Sequence, residues 1–469
     1  MLNSAGQLDA LAARSVDGRP VQISMGAVRR DQNGRSQFRL DEAGLLVSTF
    51  ADSWVSFGAE LTLKLRDRVA DLDVPLQRQV YAGTGGAAGG EALKDRTKPM
   101  MIGRCFGHEP AFLDLGIWQL SSGKIHSVSA VRFGGVLVTG QIVEVEGGFE
   151  ALASTSAPPG GYAITRHASG SYIKLGDLPA AVVTVDGRGE TLDRATAYAY
   201  EMDGFARMDG FMPWVETIEG PGYVETIGGI TRMLLDRSLN WGLTEMSLDS
   251  FNALDREQKA PMGASIPLGS TITLGEFLSD FLGTAGCYMD IGRLGEVRLN
   301  RMRAPDSTAA FRLTEQQITR LDREPLPYGI PADSVTVEYH RNGRPLTSSD
   351  IAPAVPVGDR EALQAVALSA AATDPTIKMH HRRAQARTVG AYFALENDAR
   401  SEASRQLSVY DETRRQFKIS VPFYAERYEL GRTVEIKHPS HGLGAGRRFS
   451  IVRIEADFAR SATDLTVFG

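Results

Sequence analysis

The stretch from residue 417 to residue 469 restricts the fold more than any other part of the chain. Its apolar side chains alternate with polar ones or gather in short runs, as strands with a buried face require. Four such runs are predicted strands: residues 417–421, 433–437, 449–458 and 464–468. A glycine-dense turn at residues 442–446 separates two of them. The pattern predicts an antiparallel meander with short connections, and no residue in it indicates catalysis, which favours an assembly component over an enzyme.

Helical signals lie in the middle of the chain and just before the closing strands. Thr273 precedes an apolar-periodic run at residues 274–284, Glu276 lies where a capping box needs an acid, and Gly286 is placed to end the helix. Residues 227–239 also carry apolar side chains at helical spacing. A third helix is predicted at residues 395–407. Its predicted inward-facing side chains are Leu395, Ala399, Ala403 and Leu407. Its predicted outward-facing side chains are Arg400, Glu402 and Arg405.

Elsewhere, alternating runs and frequent glycine predict strands and tight turns. Glycine supplies 49 of 469 residues, roughly a tenth against a usual share of about 7%. Predicted strands are residues 21–25, 45–50, 61–65 and 334–339, a strand pair or one bent strand at 136–145, and a hairpin over 287–299. Short helices are predicted at residues 7–13 and 191–208. Within the proline-rich segment 344–377, residues 361–372 are a candidate helix, and we expect this segment to be an exposed arm or a loop ordered only by partners.

The fold class that follows is α+β, mostly β, with several antiparallel sheets or barrels and a few short helices. A chain of this length fits several domains of about 150 residues. The expected domains, open to discontinuity, are a β-rich one at residues 1–98, a second β-rich one at 99–205, a helix and hairpin domain at 206–330 and a C-terminal domain at 331–469, with a helix and the closing meander.

The composition is that of a soluble globular protein. The 51 basic against 57 acidic residues give a net charge of −6, so no basic excess favours nucleic-acid binding. Two cysteines, Cys105 and Cys287, cannot form a disulfide framework, which is compatible with a reducing cytoplasm. The N-terminus lacks a basic region and Asp9 interrupts its apolar run, so no signal peptide is expected. No run approaches the ~18 apolar residues of a membrane span.

Two glycine-containing segments match nucleotide-binding motifs only in part. Gly83, Gly85 and Ala88 fit a loose dinucleotide pattern, but no proper helix follows, so we interpret residues 83–90 as a flexible loop. Gly123 and Lys124 lack both the glycine spacing and the following Ser or Thr of a phosphate loop. Neither segment predicts a cofactor.

Cysteines and histidines supply only fragments of metal sites. Half of a zinc-ligand spacing occurs twice, at Cys105 with His108 and at His438 with His441. A structural zinc site needs four ligands, and neither pair has an evident second pair of ligands in the sequence. The adjacent His380 and His381 precede two arginines, which repel a cation. No metal site is predicted.

Carboxylates and basic residues are also inconclusive. Asp114, Glu144 and Glu146 are candidates for glycoside hydrolysis, but the sequence does not set the separation that this chemistry requires. The most basic cluster, residues 380–383 with Arg387, lacks interleaved aromatic side chains for base stacking. We interpret it as a solvated or interface patch, and no catalytic residue is predicted.

Four motifs occur in order in the second half of the chain. They are residues 247–251 with the helix and hairpin that follow, residues 335–342 ending in Tyr-x-x-Asn, residues 398–407 containing Glu-Ala-x-Arg-x-Leu, and the closing strands from Leu430-Gly431 to Phe468-Gly469. Together they resemble tailed-bacteriophage tail proteins of the baseplate-hub or tail-tip class, such as a gene-transfer-agent-like hub. Residues 75–83 and 98–104 also resemble such proteins, so the resemblance covers most of the chain. The family's usual terminal Trp-Gly is replaced by Phe468-Gly469.

The resemblance implies a β-rich, multidomain virion protein without catalytic residues, cofactor or metal. It implies a homotrimeric ring that continues the tail tube and is made in the cytoplasm of the host bacterium. Implied partners are the tail tube or distal tail protein, tip or fibre proteins and the tape measure, with DNA only in transit during genome ejection and host cell entry. A slightly acidic protein suits such a conduit, because a basic lumen binds DNA phosphates and slows their passage.

Two other functions stay open at the level of sequence. A receptor- or carbohydrate-binding tail module is favoured if Trp118, Trp214 and Trp241 are exposed and aligned. A tail-associated cell-wall hydrolase is motivated only by the available carboxylates and histidines.

Overall fold

The protein is built mainly from β-strands in several separate sheets, as the fold class predicts. The computed structural model describes residues 16–26, 28–30, 36–38, 44–57, 60–176, 181–191, 222–242, 245–292, 294–325, 331–409, 414–422, 428–457 and 462–469. Most strand pairs are antiparallel, and no sheet in these ranges closes into a barrel. The predicted helix at residues 7–13, and all but the first residue of the one at 191–208, lie outside the described residues. The division into four domains stays a prediction.

The strands are numbered in chain order. Their bounds are β1 Pro20–Met25, β2 Val28–Arg30, β3 Ser36–Phe38, β4 Gly44–Phe57, β5 Glu60–Arg66, β6 Met100–His108, β7 Ala111–Asp114, β8 Ile117–Ser121, β9 Ile125–Phe133, β10 Val136–Leu137, β11 Ile142–Glu144, β12 Tyr162–His167, β13 Gly170–Leu175, β14 Val183–Glu190, β15 Gly263–Ile266, β16 Cys287–Ile291, β17 Val297–Arg301, β18 Phe311–Thr314, β19 Arg320–Glu324, β20 Ala332–Tyr339, β21 Leu368–Thr373, β22 Gln385–Phe393, β23 Gln416–Pro422, β24 Thr433–His438, β25 Leu443–Asp457 and β26 Ala462–Phe468.

Seven α-helices lie in the described residues. Their bounds are α1 Phe149–Ser154, α2 Ile227–Leu239, α3 Leu248–Glu257, α4 Leu274–Thr284, α5 Val357–Gln364, α6 Ile377–His380 and α7 Glu396–Ser408. Short 3-10 turns lie at Arg68–Leu72, Gly86–Ala88, Glu91–Leu93 and Glu315–Gln317. Among the described helices, none has both the length and the apolar character that a membrane crossing needs.

The described residues of the first half form four sheets, of which the smallest is the two-stranded sheet of β2 and β3. Strands β1, β4 and β5 form a three-stranded antiparallel sheet, which confirms the three predicted N-terminal strands. Two five-stranded sheets follow, with the orders β10-β9-β14-β6-β15 and β11-β12-β13-β8-β7. Buried side chains from both, among them Cys105, Trp118, Val131 and Ile173, form one core. These two sheets are therefore the layers of a β-sandwich.

The prediction of a strand pair or one bent strand at residues 136–145 is wrong. Strands β10 and β11 do not pair with each other, because each is the edge strand of a different layer of the sandwich. The connection crosses between the layers at Gly140, where a Cβ atom would overlap the carbonyl group of Gly160. Glycine therefore permits the close backbone approach that this crossing needs.

The central core surrounds α2, α3 and α4. Helix α4 begins with the predicted capping box: the Glu276 N–H donates to the Thr273 hydroxyl at 3.2 Å, and the Thr273 N–H donates to the Glu276 carboxylate at 2.9 Å. Gly286 follows the helix at φ +62°. The buried rings of Phe277 and Phe281 stack with centroids 5.5 Å apart. The predicted helices at 227–239 and 274–284 and the β16–β17 hairpin are confirmed.

The segment from residue 344 to 377 is folded against the rest of the chain, so the expectation of an arm or partner-ordered loop is wrong. Leu346 and Val355 are buried, and β21 pairs with β20 along its length. The candidate helix at 361–372 is also wrong, since α5 ends at Gln364 and the alanine-rich part is β21. Helix α7 packs over β20 and β21, and alanine side chains leave room for that close approach.

The C-terminal sheet has six strands in the order β18-β24-β25-β26-β23-β19. Strands β24, β25 and β26 form the predicted meander, but β23 pairs with β26, so the simple four-strand order is wrong. Leu465 and Val467 enter the core of this sheet, whereas Phe468 enters the central core. An interior position suits β26, because its residues from Leu465 to Phe468 are buried on both faces.

A short link shows that the six-stranded sheet is curled. Strands β18 and β19 lie at opposite edges, yet only residues 315–319 join them. A flat sheet with five spacings of about 4.8 Å is about 24 Å wide, whereas six residue steps reach at most about 22 Å. The sheet therefore bends around its own core into a barrel that stays open between β18 and β19.

The interior position of β26 generates a stability prediction. Replacing the fully buried Phe468 with alanine, Phe468→Ala, should lower the free energy of unfolding by about 3–5 kcal/mol, because it leaves a cavity between two cores. Deleting residues 465–469 should abolish folding. Val357→Ala is the control, since that side chain is 78% exposed. Urea unfolding followed by circular dichroism measures the difference, and equal midpoints for the two variants would contradict it.

Candidate functional site

The Glu-Ala-x-Arg-x-Leu motif lies on α7, and its glutamate is buried. Glu402 is 1% exposed, so the prediction that it faces solvent is wrong. Leu395, predicted to face inward, is 44% exposed. Ala399, Ala403 and Leu407 are buried as predicted. The helix therefore turns a carboxylate toward the core, which requires compensating charge there.

Two arginines and a glutamine provide that compensation. Glu402 Oε2 accepts hydrogen bonds from Arg301 Nη2 and from Arg405 Nε, the second at 2.9 Å. Its Oε1 accepts from Arg405 Nη2 at 2.7 Å and from Gln406 Nε2 at 2.9 Å. The carboxylate thus has four donors, and the Arg301 side chain that faces it from β17 is only 8% exposed.

The same side chains also bind the C-terminal end of α4. Gln406 Nε2 donates to the Thr284 carbonyl at 3.1 Å, and Arg301 Nε and Arg405 Nη2 each donate to the Ala285 carbonyl at 3.2 Å. The last carbonyls of a helix lack partners within the helix and carry partial negative charge. The positive charges of the two guanidinium groups therefore compensate the negative charge of one carboxylate and the partial negative charge of one helix C-terminus. The cluster of Glu402, Arg301, Arg405 and Gln406 joins α7, α4 and β17.

The Tyr-x-x-Asn motif forms a second junction. Asn342 Nδ2 donates to the Leu363 carbonyl at 2.9 Å, and the next residue, Gly343, donates its N–H to the Phe106 carbonyl at 2.9 Å. The His340 ring stacks on Phe106 with centroids 3.7 Å apart. A Cβ at Gly107 would overlap the Asn342 side-chain oxygen, so this position needs glycine. The motif holds β20 against the edge of the sandwich.

A third junction uses a buried carboxylate that sequence reasoning missed. Glu190 at the end of β14 accepts hydrogen bonds from the Ser121 and Ser122 hydroxyls, at 2.6 and 3.0 Å, and from the Gly123 N–H at 2.8 Å. It also pairs with Arg237 of α2. The Gly123 amide, part of the rejected phosphate-loop match, therefore binds an anion of the chain itself. No sequence signal links Glu190 to Arg237, because 46 intervening positions separate them.

The sequence fragments of metal sites lie in separate places. His108 is fully buried, with Nδ1 2.6 Å from the Ser265 hydroxyl and Nε2 2.7 Å from the Leu120 carbonyl oxygen. Burial lowers the pKa of His108 to about 4 and raises the pKa of the Cys105 thiol to about 12. His438 instead accepts from the Ser440 N–H at 3.1 Å. Within the described ranges no three metal-binding side chains gather.

Asp114 and Glu144, two of the three candidate carboxylates, lie too far apart to act as a catalytic pair. Asp114 ends β7 and Glu144 ends β11, which are opposite edges of one five-stranded sheet. Four strand spacings separate such edges by about 19 Å, beyond the about 5–9.5 Å between the carboxylates of glycosidases. Glu144 is bound by Arg166 Nη2 at 2.7 and 2.9 Å, and Glu146 is exposed.

The tryptophans do not form an exposed aromatic platform where they are described. Trp118 and Trp241 are 8% and 6% exposed, and Trp214 lies outside the described residues. A cleft of about 580 Å³ lies beside Trp118, lined also by Arg96, Glu109 and Phe112. Phe112 meets Trp118 edge to face at 5.1 Å and covers it.

No protein-family model and no curated protein matches this chain. Among solved structures, a chain of the virion of a native gene transfer agent particle aligns with a TM-score of 0.47 and 12% identity, over 86% of this chain and 91% of that one. The tail protein from Neisseria meningitidis MC58 aligns at 0.32 and 12%, over 66% and 79%. The 43 kDa tail protein of prophage MuSo2 from Shewanella oneidensis aligns at 0.30 and 13%, over 79% and 93%.

These structures are virion and tail proteins by name, the class that the ordered motifs resemble. TM-scores below 0.5 mark a distant likeness, which assigns neither residue roles nor a function to this chain.

The cluster around Glu402 generates a prediction on stability. Glu402→Ala should lower the free energy of unfolding by about 3–5 kcal/mol, because it leaves Arg301 buried without its carboxylate. Arg400→Ala is the matched control on the same helix, where the exposed pair with Glu396 contributes at most about 0.5 kcal/mol. Chemical unfolding of both variants gives the comparison, and a loss below 1 kcal/mol for Glu402→Ala would show that the cluster does not support the fold.

Burial of His108 generates a pH prediction. Its pKa is about 4 in the folded chain and 6.5 when exposed. Between these values the unfolded chain binds a proton that the folded chain does not, so stability falls as pH drops from 6.5 to 4, by about 3 kcal/mol from this group. The difference in pH slope between wild type and His108→Gln measures it, with the exposed His167→Gln as control.

If the His108 substitution prevents folding, the ring ¹⁵N chemical shifts of the wild type show whether His108 is neutral or charged. A neutral His108 ring at pH 5 is the expected result, and a charged ring at that pH would contradict it.

Proposed function

We propose that the chain is a structural protein of a phage tail, which forms the baseplate hub or tail tip and continues the tail tube. The observation that carries the proposal is the role of the ordered motifs. Glu402 and Arg405 join α7 to the β16–β17 hairpin, and Asn342 pairs with Phe106 of the sandwich. Motif residues that serve as framework contacts between modules suit a protein whose task is to hold a shape within an assembly.

The described surface supports attachment to other proteins on several sides. Edge strands occur on both layers of the sandwich, on the three-stranded sheet β21-β20-β22 and on the open barrel. Such edges can pair with strands of neighbouring chains. In this proposal they bind copies of the chain in a homotrimeric ring, the tail tube or distal tail protein, the tape measure and tip or fibre proteins.

The proposal includes passage of DNA without retention. A net charge of −6 over the chain disfavours tight binding to phosphates. We also propose that the chain has no catalytic role, because His108, Glu144 and Glu190 are engaged in internal contacts. Clearing of bacterial cell walls by micromolar protein in a turbidity assay would overturn that part.

A receptor- or carbohydrate-binding role has weaker support. It needs aromatic faces open to a ligand, and both described tryptophans of the three considered are buried. We therefore retain the hub proposal alone.

The hub proposal predicts the location of the chain. Tail particles purified from a host that carries the gene should contain it in a small fixed copy number at one end of the tail tube. Mass spectrometry of the particles and gold-labelled antibodies in electron microscopy test this. Particles made without the gene should not eject DNA. Supplying the gene with the Val357→Ala substitution should restore DNA ejection. Absence of the chain from purified particles would contradict the proposal.

A further inference from the structure

The cleft beside Trp118 lies along an open edge of the sandwich. Its lining includes Pro110, Ala111 and Phe112, three consecutive residues that lead into and begin β7. Successive residues of a strand point to opposite faces, so a cleft that all three line runs along the edge of the strand and not over one face. Strand β7 is the last strand of its layer, and within the described ranges its backbone pairs only with β8. An edge of this kind can accept a further strand.

The opposite wall of the cleft belongs to the other layer of the sandwich. Val182 and Val183 lie at the start of β14, and Pro267 and Leu268 follow β15. Val183 and Trp118 are both members of the core between the layers. The cleft is therefore an opening of the sandwich at the β7 edge, where a further strand of that layer would lie. Its volume of about 580 Å³ is within the about 300–1,000 Å³ of pockets that hold ligands.

Apolar side chains are exposed around this opening. Phe112 is 52% exposed, and Leu115, in the turn between β7 and β8, is 63% exposed. Leu115 also has a positive φ of +53°, and Gly116 follows at +72°. A left-handed backbone is unfavourable for leucine, and hairpin turns with two such residues favour Asn, Asp or Gly at the first of them. The hairpin therefore presents an apolar side chain at a local cost in stability, which contact with a partner offsets.

The unmatched charge in the cleft is positive. Arg96 lines the cleft and is exposed, and no carboxylate in the described part of the chain forms an ion pair with it. Glu109, the carboxylate of the same cleft, pairs instead with Arg344 at 3.8 Å. An acidic side chain on an incoming strand therefore complements the cleft at Arg96.

We propose that this cleft binds an extended segment of another tail protein, which adds to β7 as a further strand of its layer. Apolar side chains at alternate positions of that segment fill the opening beside Trp118, and one acidic side chain pairs with Arg96. The backbone of the edge provides affinity for strands in general, and the cleft selects the side chains. This inference rests on the proposed hub function, because it states the chemistry of one partner in that assembly.

Labelled peptides test the chemistry of the cleft in the full-length chain. The probes are peptides of about eight residues, the length of a long strand, with alternating leucine and serine and with glutamate at each serine position in turn, so that no register is assumed. Fluorescence anisotropy gives the dissociation constants. The best peptide should bind roughly tenfold more tightly than its lysine counterpart, because Arg96 attracts only the acid. Methylation of its backbone nitrogens should weaken binding roughly tenfold or more, because it removes the donors that pair with an edge.

Two substitutions link this binding to the cleft. Phe112→Ala should weaken binding of the best peptide about tenfold, because it removes apolar contact area. Arg96→Glu should weaken it by about the same factor and make the lysine peptide the better ligand, since the charge of the cleft is reversed. Lys437→Glu, at an exposed position on β24, is the control and should leave both constants unchanged. Binding by none of the peptides, or an unchanged preference in the folded Arg96 variant, would overturn the inference.

A photo-cross-linking side chain identifies the occupant within tail particles. Purified particles that carry the Phe112→benzoylphenylalanine substitution should give a covalent product with a second tail protein. The cross-linked segment, located by mass spectrometry, should have apolar residues at alternate positions and an acidic residue among them. Cross-linking to another copy of the chain, or to no protein, would overturn the inference.

The outcomes separate the two proposals. Particles that contain the chain but give no such product would leave the hub function standing and remove the strand site. Peptide binding with the expected preferences, together with absence of the chain from tail particles, would leave strand recognition by the cleft standing and remove the hub function.

Discussion

The buried carboxylate of Glu402 is the interaction on which the second half of the molecule depends. It accepts four hydrogen bonds, three of them from two arginines, and the same arginines bind the buried Ala285 carbonyl at the end of α4. A lone carboxylate in such a place would be strongly unfavourable, and so would either arginine without it. Helix α4, the β16–β17 hairpin and helix α7 are therefore fixed in one relative arrangement, since a shift of any of them would leave a buried charge unpaired.

The same principle recurs at the other junctions. Glu190 binds Arg237 and the Gly123 amide, which joins the sandwich to α2, and Asn342, just after β20, pairs with Phe106 on β6 of the sandwich. Apolar side chains fill the cores, but apolar contacts are not directional and tolerate rearrangement. Polar groups with defined geometry provide the orientation. A protein whose parts must keep one spacing within an assembly gains from such junctions.

Local patterns anticipated the elements whose determinants are close in sequence. The helices at 227–239 and 274–284 and the hairpin that follows were predictable because caps, glycines and apolar spacing lie within the elements themselves. Predictions failed where contact with a residue or strand far away in the sequence determines the local structure. Residues 136–145 divide between two layers, residues 361–372 divide between a helix and a strand paired with β20, and Glu402 points inward to an arginine 101 positions away.

By itself, the sequence determined the mostly β class, the capped central helix and the closing strands, because periodicity and capping act over a few residues. It also carried the ordered motifs, without revealing what they do. Only the tertiary structure decided that β23 pairs with the last strand, that the six-stranded sheet curls, and that Glu190 meets Arg237. These depend on which strands become neighbours, and strand pairing is set by contacts between residues far apart in the chain.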